Sequence, residues 1–258
     1  MRDVFVLLKR DLKNSINKRL LIMFVLLVLF QFWFILASDS TYQVKTSGVM
    51  HYMAVVFSFN FFGSIVALAL NYDGISRERE SKLLDLILTS GVTKKKVYLS
   101  KILTSFIISY ILALSYVLVL TLVYLVLSGD VSMSLLTLRY ILPLTTFLSL
   151  FSLMGLMFSV FFRSSKSSLI TSIIIGAVFM PRLFVMIIDS LGNLLGFSQR
   201  TTEILYMISP ALIMNALNGY SEMSYVIWAL LFFCVYLTVV IIGGLHVFMR
   251  QDELNYGE

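Results

Sequence analysis

ISRERESKLLDLILTSGVTKKKVYLSKIL, residues 75–103, holds seven of the chain's twenty Lys and Arg within Arg77, Arg79, Lys82, Lys94, Lys95, Lys96 and Lys101. The chain around it is 59% hydrophobic and only 13% charged. So dense a block of charge must face water, while most of the remaining sequence cannot. The stretch therefore reads as an aqueous segment tied at both ends to apolar ones, and it sets the frame for everything on either side.

A soluble domain carries about 25% charged residues, roughly twice the share found here. A mean hydropathy of +0.93, with 21 Phe and 13 Met in 258 residues, cannot be wrapped by an aqueous surface. Only helices and closed barrels satisfy their backbone inside lipid. The apolar runs are continuous and do not alternate, so helices are expected. The single cysteine, Cys234, excludes an intramolecular disulfide framework and a C-x-x-C site, and reads as a small apolar packing residue. The first run is longer than a typical signal-peptide core and ends in ASDS, not A-x-A, so it reads as a retained helix.

Crossing the hydrocarbon core takes about 20 apolar residues. Six segments qualify: 20–37, 51–71, 102–127, 140–162, 168–188 and 226–247. With the N-terminus inside, one side collects sixteen Lys and Arg, including Arg163, Lys166 and Arg250 with the block above. The other side collects four: Lys45, Arg139, Arg182 and Arg200. The asymmetry puts both termini in the cytoplasm of a multi-pass plasma (inner) membrane protein. The +6 net charge is accordingly a topology signal and gives no support for nucleic acid. Residues 1–19 place Val4, Leu8, Leu12 and Ile16 on one side, with Lys9, Arg10, Lys13 and Lys18 largely opposite, as in a helix lying in the inner membrane interface. With no internal repeat or long linker, residues 1–258 read as one all-α integral membrane domain.

Within the charged loop, 72–101, residues 77–89 fit an amphipathic helix. Leu83, Leu84, Ile87 and Leu88 fall on one side, while Arg77, Glu78, Ser81, Lys82 and Asp85 cover the other. Glu78 and Lys82 are spaced for an i,i+4 pair. Gly91 suits a helix stop, and Thr93 is placed to cap the next helix. On these grounds alone the loop either rests in the headgroups or meets a partner.

The stretch resembles the loop between helices two and three of ABC-2 type permeases, the membrane subunits of many ABC exporters. Members commonly read E-R-E-x-G-T-L-E-x-L-L, then Pro, and close with Gly-Lys. Here Glu78, Arg79 and Glu80 match the opening, Leu84 and Asp85 stand at Leu-Glu, Ile87 and Leu88 follow, and Lys101 closes the motif. Lys82 and Leu83 replace Gly-Thr, Gly91 replaces Pro, and Ser100 precedes Lys101. The motif covers roughly thirty residues; the six helices, the N-terminal helix and the closing FMRQDEL extend the likeness in outline.

The resemblance implies that the loop is a coupling helix docking on a cytosolic ATPase through Glu78, Arg79, Glu80, Lys82, Leu84, Asp85 and Leu88. Arg163 and Lys166 would form a secondary contact. It further implies two ATPase copies carrying ATP and Mg, a second permease identical or related, contact with membrane lipids, and no cofactor on this chain.

Polar groups at membrane depth are functional candidates. Phe57, Asn60, Phe61 and Ser64 share an i, i+3, i+4, i+7 face that either walls a translocation path or packs another helix, with Asn60 as hydrogen-bonding glue. Pro181 and Arg182 interrupt the fifth span, which reads as a kinked helix with Arg182 reaching outward to an outer gate. The broken apolar stretch that follows, with Gly192, Gly196 and Pro210, resembles the family's short outer re-entrant helices. The chain has no G-x-x-x-x-G-K-[ST] loop and no H-E-x-x-H around His51 or His246, so catalysis is not expected of it. The expected function is export of a peptide, lipid or hydrophobic drug. The alternative is a standalone secondary transporter or membrane scaffold, against which the lack of carboxylate clusters inside the spans counts.

Overall fold

A computed structural model describes residues 2–15, 18–37, 62–129, 136–179, 181–206, 208–209 and 223–251. Among these the elements are all helical. In chain order they are α1 (Arg2–Ser15), α2 (Lys18–Ala37), α3 (Ser64–Ala69), α4 (Ser76–Glu80), α5 (Leu83–Thr89) and α6 (Lys94–Ser128). After a 3₁₀ turn (Leu136–Tyr140) come α7 (Ile141–Phe161), α8 (Ser165–Val178), α9 (Pro181–Leu195) and α10 (Gln199–Tyr206). A last helical rod comprises α11 (Met223–Thr238), a π-turn (Val239–Gly243) and α12 (Gly244–Arg250).

Among the described residues three helices are long and apolar enough to cross a membrane, Lys94–Val126, Leu138–Phe161 and Val226–Arg250, and α1 with α2 passes as one bent pair. One of the six expected spans differs and another is mostly out of view. Span 51–71 lies mostly outside the described residues, which hold only its end, including α3. Span 168–188 is not one helix: α8 stops at Val178 and α9 starts anew at Pro181. Proline has no amide hydrogen and clashes with the carbonyl four residues back, so the ladder cannot pass through it. The rings of Phe179 and Phe184 stack across the break, 6.0 Å apart.

The helix expected over 102–127 begins at Lys94, so the three lysines are helical. At 1.5 Å per residue α6 is about 52 Å long, roughly 20 Å more than the hydrocarbon core. Thr93 stands at its N-cap without a side-chain cap bond; its carbonyl accepts from the amides of Lys96 and Val97. Cys234 is exposed on α11 and is not a packing residue.

The centre of the molecule is α7, which is buried along most of its length against α6 on one side and α3 and α8 on the other. Small residues allow this closeness. A Cβ at Gly155 would overlap the carbonyl of Leu68, and one at Gly176 would meet Ile65 at 3.0 Å. Without a hydrophobic drive between helices in lipid, close packing and interhelical hydrogen bonds hold them. Ser64 donates to the carbonyl of Gly176 at 2.8 Å, and Asn71 Nδ2 donates to both Ser105 and Ser152 at 2.6 Å. Gly155→Ala should therefore lower stability by about 1–3 kcal/mol, read as a fall in the thermal midpoint of the detergent-solubilised chain.

Candidate functional site: the charged segment at one end of the bundle

The stretch 77–89 is not the single helix expected. It breaks at Ser81–Lys82, where Lys82 takes φ 58°, the left-handed region. The break lets each half bury a different face: Ser76 and Glu78 on α4, then Leu84 and Ile87 on α5. Lys82 occupies the position where the motif commonly has Gly, the residue that adopts this conformation freely. Gly91, at φ 87°, follows α5 as the expected stop.

Glu78 is not on a solvent face and does not pair with Lys82. Its Oε1 accepts from Arg10 of α1 and Lys101 of α6, each at 2.7 Å. Lys101 also lies 3.2 Å from Asp11, which Arg10 contacts at 2.7 Å and to which Ser100 donates at 2.8 Å. Two cations and two anions thus form one neutral cluster. The side chains of Asp11, Lys101 and Glu78 are 2%, 9% and 11% exposed. A buried ion tolerates desolvation only with such pairing. The cluster also explains α1. Leu7 and Asp11 are buried while Phe5 is exposed, so the helix is docked on α6 as well as amphipathic.

The other two members of the Glu-Arg-Glu run reach other elements. Arg79 donates to the carbonyl of Phe162 at 3.4 Å, just past α7, and to Gln251 Oε1 at 2.6 Å; Gln251 in turn donates to the carbonyl of Val160 at 2.7 Å. Glu80 accepts from the amide and hydroxyl of Ser165 at 2.9 and 2.7 Å. With Ser164, which accepts from the amide of Ser167, it satisfies two of the free amides at the start of α8. The Ser165 hydroxyl and amide, with help from Lys166, hold the Glu80 carboxyl below its ordinary 4.5. Ser159 of α7 accepts from the amides of Ile75 and Ser76 at 2.7 and 2.8 Å, closing the N-terminal end of α4.

Of the residues expected to meet a partner, Glu78 and Leu84 are therefore buried, and Arg79 and Leu88 are partly covered. Glu80, Lys82, Asp85, Arg163 and Lys166 are exposed. The Glu80–Ser165 bonds bring the second charged loop beside the first, so the two make one face. Leu86, 67% exposed at its tip, and Leu83 were not expected there. The signal was present in the sequence: burying Leu84 and Ile87 three apart turns Leu83 and Leu86 outward. Ser64 is buried against α8; Phe57, Asn60 and Phe61 lie outside the described residues, as do the side chains of Pro181 and Arg182.

Glu78→Gln should cost about 3 kcal/mol, because it strands Lys101 and Arg10 on one carboxylate. Glu78→Leu combined with Lys101→Met, which leaves the Arg10–Asp11 pair neutral, should recover most of that loss in the same thermal-unfolding measurement. Lys82→Gly should raise stability by roughly 1 kcal/mol by relieving the left-handed backbone, seen as a higher midpoint.

No curated protein shows significant similarity to the chain. A family model described as ABC-2 family transporter protein matches residues 5–253, taking in α1, the clamped segment and the last helix alike. This multi-pass membrane protein belongs to the ABC-2 transporter family.

Proposed function

We propose that the chain is the permease subunit of an ABC exporter and that α4–α5 is its coupling element. The observation that carries this reading is a segment held on three sides by polar bonds to α1, α6, α7 and α8 that still presents Leu83 and Leu86 to solvent. Lys82 and Asp85 are exposed beside them in sequence, and Arg163 and Lys166 are exposed in the loop that Glu80 holds through Ser165. A protein resting in lipid has no need to brace a loop from every neighbour. A protein receiving force does, since a soft loop would absorb the displacement. The apolar tip supplies anchorage in an ATPase groove and the charged residues supply register.

In this scheme two cytosolic ATPase chains carry ATP and Mg, and this chain pairs with a second permease, identical or related. The six-span topology has both termini in the cytoplasm of the plasma (inner) membrane. Phe57, Asn60 and Phe61 wall the path, with Ser64 anchoring its lower end on α8. Pro181 and Arg182 stand at the outer gate, and α9–α10 is the re-entrant cap. The cargo is amphiphilic: a peptide, lipid or hydrophobic drug. A photo-crosslinking residue at Ser81 in native membranes should capture a soluble chain bearing a phosphate-loop sequence, and Leu86→Asp should abolish the capture. Repeated capture of lipid alone, with the fold intact, would overturn the assignment.

A further inference from the structure

The last helical rod changes character at its π-turn. Above it, α11 is largely exposed among the described residues and packs a small cluster with α7, in which Ala229 meets Leu150 with Phe232, Phe233 and Tyr236 around them, while Leu237 reaches the main core. Within it Val240, and below it Phe248, belong to the main core. The division falls within Val239–Gly243, where the hydrogen-bond ladder loosens to the π form. Such single turns insert one extra residue into an α-helix, recur at functional sites and are common places for a helix to kink.

Each side of the turn is gripped by a different part of the molecule. Tyr98 of α6 donates to the carbonyl of Val240 at 3.2 Å and fills the space that a Cβ on Gly244 would need. Lys94 donates to the carbonyl of Phe248 at 3.4 Å and lies over its ring. Arg79, within the docking segment itself, holds Gln251. Above the turn, Tyr236 donates to the carbonyl of Ile208, just past α10. The rod thus joins the clamped end of the protein, which holds Val240 of the turn as well as α12, to the segment just past the α9–α10 hairpin.

We infer that the π-turn is a hinge in the last span, and that Arg79, Lys94 and Tyr98 are positioning residues that make α12 move with the coupling element while α11 follows the hairpin. Building on the exporter reading, this gives ATPase motion a second route across the membrane, separate from the helices adjoining the coupling loop. Because the π-turn amounts to one inserted residue, deleting Ile241 removes the hinge and keeps the register of both halves.

The test uses electron–electron resonance distances between labels on the native Cys234, exposed on α11, and on Met249→Cys, exposed on α12. The two sites are about 22 Å apart along the helix. The full chain is placed in lipid nanodiscs, diluted with unlabelled Cys234→Ser chain. A narrow distribution is expected for the parent. Arg79→Ala, and separately the conservative Tyr98→Phe, should add a second population, which deleting Ile241 should suppress. A distribution indifferent to both substitutions, or one that broadens equally without Ile241, would overturn the hinge. This comparison needs no ATPase. In the assembled complex, trapping with ATP and vanadate should shift the same distance. No shift in a complex that still hydrolyses ATP removes the hinge from the stroke. A complex that contains no ATPase overturns the exporter reading and leaves the first comparison standing.

Discussion

The cluster of Arg10, Asp11, Glu78 and Lys101 is the constraint on which the charged end of this protein depends. Three ions sheltered from water, with a partly exposed Arg10 beside them, are tolerable only as a balanced set, because each buried one alone would carry a desolvation penalty of several kcal/mol. That requirement fixes where three separately encoded elements meet: the N-terminal helix, the loop helix and the long helix that follows it. Once Glu78 is pinned, its neighbours have few places to go. Arg79 falls beside the end of α7 and Glu80 beside the start of α8, and each satisfies backbone groups that would otherwise be left without partners. Three consecutive charged residues thereby organise five helices.

The hydrophobic interior plays the complementary part. It brings α3 close to α7 and α8 through serines and glycines and leaves the specificity of the charged end to polar bonds. The leucines left over at the tip of α5 are the residue of this division: apolar, outside the bundle, and mounted on a base too well tied to yield.

The all-helical, membrane-spanning class was legible in composition, and the charged loop was legible as the point where the chain meets water. The family resemblance was legible too, in Glu78, Arg79, Glu80, Leu84, Asp85 and Lys101. Periodicity could not reveal the partners of those residues. A wheel over 77–89 places Glu78 among solvent-facing charges, because local spacing carries no record of Arg10, which is 68 positions away. Nor does spacing foresee that Lys82 takes up a glycine-like backbone so that two short helices can bury two different faces. The break before Pro181 was readable as a kink, whereas the π-turn in the last span has no proline or polar run to announce it.

The length of α6 has one more consequence. Its apolar portion, 102–127, spans about 39 Å along the helix axis, against roughly 30 Å of hydrocarbon, and the excess must be taken up by tilt or by local thickening of the lipid. Since the lower end of the same helix carries Ser100 and Lys101, any change in tilt turns the platform that presents α5. The packing of α6 against α1 and α7 therefore has to be compatible with the thickness of the bilayer as well as with the charged face below it.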